Sequence, residues 1–115
     1  MDNIKDDRYY IDKILENIDV IISYTKGIEY ENFVNNILLL DAVMFRLIQM
    51  VENIIHISKD YKDQYSNINW KQIVGFRNNI VHDYGKVDYS LVYEVISNDI
   101  YDLRDNLMSS VACIL

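Results

Sequence analysis

Apolar residues recur along this chain at steps of three and four, and no segment shows the step of two that marks a strand, so the pattern predicts helices throughout. Ile11, Ile14, Leu15, Ile18, Ile21 and Ile22 make one stripe. It ends at Lys26-Gly27, where glycine can take the left-handed conformation that follows a helix. A first helix is expected over about residues 3 to 25. Phe33, Ile37, Leu40, Met44, Leu47, Val51 and Ile54 then alternate steps of four and three, as in a heptad seam, and Val34, Leu38, Phe45, Ile48 and Ile55 form a neighbouring stripe. This predicts one long second helix whose apolar face is too wide for a single neighbour.

Asp41 and Glu52 interrupt that second stripe. Each lies either at the edge of the face or buried against a counter-charge, for which Arg46 or Arg77 is the natural partner. Residues 58 to 69 are polar and read as a loop or a frayed helix end. Asn69 can cap a third helix, buried through Ile73, Phe76, Ile80 and Val81 and closing near Tyr84-Gly85. Asp88 can cap the last, whose apolar positions run from Leu91 and Val92 through Ile96, Ile100, Leu103 and Leu107 to Val111. The expected fold is all-α, a four-helix up-down bundle with the second helix longest.

Composition limits what such a bundle can do. With 115 residues, half of them apolar, the chain is expected to be one domain, residues 1–115, with a small core. Cys113 is the single cysteine, which excludes a disulfide framework within the chain and a multi-cysteine zinc site. It reads as a small buried hydrophobe and points to a reducing compartment, the cytoplasm. The charged stretch from Met1 to Arg8 lacks an apolar signal core, and no apolar run approaches the ~20 residues of a membrane span. A soluble, unprocessed chain with no membrane partner is expected. The 10 tyrosines are expected on half-buried faces with their hydroxyls wet.

The net charge of −7 opposes simple polyanion binding, because nucleic-acid affinity comes from Lys and Arg neutralising phosphates. An RNA ligand therefore requires basic groups gathered locally, or an acidic surface that faces a separate partner.

The densest chemistry lies in Arg77-Asn78-Asn79-Ile80-Val81-His82-Asp83-Tyr84. A histidine exchanges a proton near neutral pH, an arginine holds a phosphate with a planar fork of donors, and a tyrosine hydroxyl can be hydrogen-bonded or modified. At about 100° per residue, Asn78 and His82 lie about 40° apart, whereas Arg77 and His82 lie about 140° apart. Either the backbone leaves helical geometry before Gly85, or a second copy of the chain completes the site across a two-fold axis. The second option is preferred, since it would also cover the wide face of the long helix. Read alone, His82 is a surface or cap histidine near a helix C-terminus, and Arg77 is as readily a structural ion pair as a phosphate ligand. His56 has only Glu52 at helical spacing, thin grounds for a metal, and none is expected.

Arg-Asn, three residues, then His-x-Tyr at the end of the third helix of a small all-helical chain resembles the HEPN superfamily. The flanks Asn69 to Phe76 and Val87 to Tyr93, with Asp41-Ala42-Val43 in the long helix, resemble its HepT-like toxin branch. The resemblance implies a ribonuclease toxin of a toxin–antitoxin pair, an endoribonuclease that cuts RNA such as tRNA or mRNA without a metal or other cofactor at a site shared by a homodimer. It implies His82 as general acid or base, Arg77 as the group that stabilises phosphate charge, and Asn78 as an orienting amide, with Glu52 and Asp83 as supporting residues. It further implies a minimal nucleotidyltransferase antitoxin that attaches adenylate to Tyr84, blocking RNA by charge and bulk. Two other readings compete: a non-catalytic dimeric HEPN adaptor that binds a nucleotidyltransferase or nucleotide, and a purely structural dimerisation domain that leaves Arg77, Asn78 and His82 without a task.

Overall fold

The computed structural model describes the backbone of residues 3–114 and the side chains of residues 6–112, so the expectation for Cys113 lies outside the described side chains. The Ile11-to-Ile22 stripe forms α1 (Asn3–Thr25), and Gly27 follows it at φ +74, as expected for a residue without a Cβ. A short α2 (Tyr30–Val34) leads into α3 (Ile37–Ile55), a short α4 (Lys59–Gln64) into α5 (Trp70–His82), and a 3₁₀ turn (Tyr84–Lys86) into α6 (Tyr89–Glu94). A π-helical turn (Val95–Asp99) joins α6 to α7 (Ile100–Ile114), so the last three elements form one continuous helical rod. Among the described residues there is no strand, and no helix is long and apolar enough to cross a membrane.

Cross-helix contacts give the directions. Asp7, near the start of α1, accepts from the Ser58 backbone N–H (2.8 Å) and hydroxyl (2.7 Å) just past the end of α3, and Arg46 of α3 donates to Asn17 of α1 at 3.3 Å. Arg104 of α7 meets Asp19 of α1 at 2.9 Å, and the Tyr93 hydroxyl of α6 donates to the Ile28 carbonyl at 2.7 Å. Arg77 and Tyr84 reach Glu52 and Asp41 of α3 in reverse order. Neighbours are therefore antiparallel, in the up-down arrangement the periodicity predicts, with lateral order α5, α3, α1, α7. The core runs between α1 and α3, where Ile11, Ile14, Ile18 and Ile21 are sealed against Val43, Leu47, Val51 and Ile54, each contributing roughly 1.5–3 kcal/mol of burial. The ring is open between α5 and the last rod, leaving a cleft of about 740 Å³ lined by Ile73, Phe76, Leu91 and Val95.

Three local expectations are corrected, and the last helix holds one irregularity. The second helix does not begin at Phe33: Asn35 and Asn36 break it, and the Asn36 side chain accepts from the Leu39 N–H at 3.0 Å, a cap that competes with helix continuation. Phe33 is still buried, but on α2, whereas Ile37 is 73% exposed. Residues 58 to 69 are not a loose loop, because Ser58 caps α4 and Tyr61 is buried with its hydroxyl bonded to Ser110. The third helix stops at His82, and Val81 faces outward. Finally, the steps of four from Val92 through Ile96 to Ile100 would drift about 80° around a regular helix. The π turn absorbs this drift and keeps all three buried.

Candidate active site

The site is built on α5, which is seated at both ends. Asn69 caps it by accepting from the Gln72 N–H at 3.2 Å, as its sequence position predicts. The Trp70 indole donates to the carbonyls of Lys62 (3.3 Å) and Tyr65 (3.2 Å), tying the first turn of α5 to the end of α4. Ile80 is buried and Ile73 and Phe76 half-buried, which turns the Arg77 edge of the helix toward α3. There Arg77 Nη2 lies 3.0 Å from Glu52 Oε1, with the arginine side chain 17% exposed and the glutamate 49%. Among the described residues Arg77 Nε is buried without an acceptor. Of the two readings of Glu52, an edge position is correct, and its partner is Arg77.

After His82 the backbone leaves the helix. Asp83 takes φ −128, ψ 42, its N–H bonds to the Asn79 carbonyl at 3.0 Å, and the 3₁₀ turn begins at Tyr84. The departure does not bring His82 to Arg77, since both still sit within α5 about 140° apart. What it redirects is Tyr84, whose hydroxyl donates to Asp41 Oδ1 at 2.6 Å. Asp41 and Glu52 are about three turns apart on one face of α3, and α5 with its extension supplies one donor to each. The bond to Asp41, helped by partial burial and the nearby charge of Asp41, pushes the Tyr84 hydroxyl up to about 12.

Asn78, His82 and Asp83 are exposed, and among the described residues no hydrogen bond restrains the His82 imidazole. Asn78 and His82 share one face, Arg77 and Tyr84 another, and Asp83 serves as the hinge between helix and turn. The Glu52/His56 pairing dissolves: Glu52 holds Arg77, and the His56 ring stacks on Tyr10 with centroids 4.9 Å apart. Among the described residues no group of three or more His, Cys, Asp or Glu gathers to hold a metal. The 740 Å³ cleft is lined from α5 by Gln72, Ile73, Phe76 and Asn79 and includes neither Arg77 nor His82.

Sequence reasoning missed the role of Asp41, which it weighed against Arg46 or Arg77 rather than a tyrosine. Arg46 instead turns to Asn17 on α1. The available signal was the pairing of two interruptions on one α3 face with two long polar side chains on the facing helix. Three turns of α3 against two of α5 look mismatched until the chain unwinds at Asp83.

An uncovered apolar strip borders this edge. Leu38 is 82% and Phe45 56% exposed on α3, Ile55 lies exposed farther along the same side, and Val81 is exposed on α5 one turn beyond Arg77. Within one chain Leu38, Phe45 and Ile55 of the second stripe are therefore uncovered, whereas Val34 and Ile48 are half-buried against the core.

The family model described as ribonuclease HepT-like matches residues 14–109. A candidate RNase from Methanocaldococcus jannaschii is 32% identical over 87% of this chain and 92% of its own length. Another, from Caldanaerobacter subterraneus, is 31% identical over 88% of this chain and 90% of its own. A probable ribonuclease HepT from Thermococcus cleftensis is 27% identical over 83% of this chain and 86% of its own. No solved structure matches significantly.

Proposed function

This chain belongs to the HepT-like ribonuclease family of the HEPN superfamily, and on that footing we propose that it is an endoribonuclease toxin that cuts RNA without a metal at a site shared by two copies. His82 acts as general acid or base on the ribose 2′-OH or the leaving oxygen, and its free, exposed imidazole suits that exchange. Arg77 places its guanidinium against phosphate charge, steadied by Glu52 at one nitrogen, and Asn78 orients substrate or imidazole from the same face as His82.

One observation carries the reading. Arg77 and His82 point apart within one copy, beside an apolar strip from Leu38 to Phe45 and Val81 that a two-fold partner would cover. Pairing would supply from one copy the group that the other directs elsewhere. A minimal nucleotidyltransferase antitoxin silences the toxin by adenylylating Tyr84, whose side chain, 45% exposed on the turn after His82, is open to such an enzyme.

The test is digestion of total cellular RNA by purified wild type, His82→Ala and Arg77→Ala in the presence of a chelator. Wild type is expected to cut, and both variants to lose roughly 10²–10⁴-fold in rate. Equal, negligible cleavage by all three would favour the non-catalytic dimeric adaptor, which the net charge of −7 and the Arg77–Glu52 pair also suit.

A further inference from the structure

Asp41 interrupts an apolar stripe of α3 between Leu38 and Phe45, and among the described residues its carboxylate faces no cation. Its hydrogen bond is to the Tyr84 hydroxyl, 43 residues away in sequence, with 2.6 Å between the oxygens. Both residues are exposed, so an enzyme can approach the pair from solvent. A phenol with an ordinary titration near 10 is about 0.1% ionised at neutral pH and is a poor nucleophile unless a base takes its proton as it reacts. A carboxylate at this distance is within the reach required of a general base.

We infer that Asp41 is the base for modification of Tyr84, so that the target chain itself supplies the proton acceptor for its own adenylylation; this rests on the reading that Tyr84 receives adenylate. Tyr84 Oη attacks the α-phosphorus of a nucleoside triphosphate delivered by the nucleotidyltransferase. The Oη–P bond forms, the bond from that phosphorus to the bridging oxygen breaks, and pyrophosphate leaves with the electron pair. The Oη–H proton passes to Asp41 Oδ1 and then to water. The product no longer has a proton to donate to Asp41, and it carries a negative charge beside a carboxylate. Repulsion therefore turns the adenylate away from Asp41.

The experiment uses the full-length chain and the minimal nucleotidyltransferase encoded beside it, with ATP and Mg²⁺, and follows intact mass over time. Wild type, Tyr84→Phe, Asp41→Asn and Asp41→Glu are compared, each checked for an unchanged thermal midpoint. Wild type is expected to gain adenylate and Tyr84→Phe to gain none. Asp41→Asn is expected to slow by about 10²–10⁴-fold at neutral pH, with Asp41→Glu partly restoring the rate. The Asp41→Asn rate should also climb about tenfold per pH unit below the phenol's own titration, whereas wild type stays nearly flat above the carboxylate range. Asparagine can still accept the Tyr84 hydrogen bond, so a merely structural Asp41 would leave rate and pH profile unchanged, which overturns the inference alone. Failure of wild type to gain mass, or absence of such a neighbouring enzyme, overturns the modification reading and the inference with it.

Discussion

Arg77 and Glu52 close the contact between α3 and α5 at 3.0 Å, and the pair is unequally wet, with the arginine 17% and the glutamate 49% exposed. Removing either partner therefore has different consequences. Glu52→Ala leaves a largely buried cation whose Nε already lacks an acceptor, and is expected to cost about 1–3 kcal/mol in urea unfolding. Arg77→Met, which keeps the apolar stem and leaves only a half-exposed carboxylate, should cost less. Because that cost needs Arg77 to be present, a double-mutant cycle should return most of it as coupling, about 1 kcal/mol or more. A coupling near zero would show that Glu52 does not hold Arg77 in place.

The Tyr84–Asp41 bond sets a pH dependence with a definite sign. The folded Tyr84 hydroxyl is raised to about 12 against an unfolded value near 10, so its contribution to stability is complete below about pH 10 and is lost as pH rises toward about 12. Because Tyr84 is 45% exposed, solvent screening limits that contribution to less than about 1 kcal/mol. Ultraviolet titration should show one late phenolate in wild type that is missing in Tyr84→Phe and moves down in Asp41→Asn. The stability difference between wild type and Tyr84→Phe should shrink over the same interval.

The turn after α1 offers a backbone test. Gly27 has φ +74, and a Cβ built there meets nothing within 4 Å, so substitution strains the chain without crowding a neighbour. Gly27→Ala is expected to lower stability by about 1–2 kcal/mol, and Gly27→Asn by less, since asparagine tolerates the left-handed region. Thermal unfolding of the two variants decides it. Equal losses would point to a role for Gly27 beyond its dihedral angle.

The bundle was legible because its signal is repeated. Ile11 to Ile22 and Leu40 to Ile54 each supply several turns of one periodicity, and Gly27, Asn69 and Asp88 terminate or cap helices by local chemistry that needs no tertiary contact. What escaped notice depends on one or two residues overriding that rhythm. Asn36 uses its side chain to start a new helix inside an unbroken apolar seam, and the π turn at Val95–Asp99 hides within spacing that still looks helical. At the site, Arg77, Asn78, His82 and Tyr84 were identifiable from residue type and spacing. Asp41 was not, because its partner is set by an unwinding at Asp83 that leaves no periodic trace.

Pairing of two copies makes the most demanding prediction. Phe45 is 56% exposed and lies near the middle of the uncovered strip, and in a two-fold contact each substitution meets its own symmetry mate or that mate's neighbours. Phe45→Glu should therefore introduce charge on both sides of the contact while costing the isolated copy little. Light scattering after size exclusion should show a monomer whose helical content and thermal midpoint are kept and whose RNA cleavage is lost. Loss of cleavage alone could still reflect a local disturbance, so the composite site needs a complementation test. Coexpressed Arg77→Ala and His82→Ala chains each lack one group, yet their mixed dimer would hold one intact Arg77/His82 pair if the two groups come from opposite copies. With random assortment, half of the dimers are mixed and each carries one working site of two, so about a quarter of wild-type activity should return. If the mixture is as inactive as either variant while wild type cuts, each copy works with its own arginine and histidine, and the two-fold site is wrong.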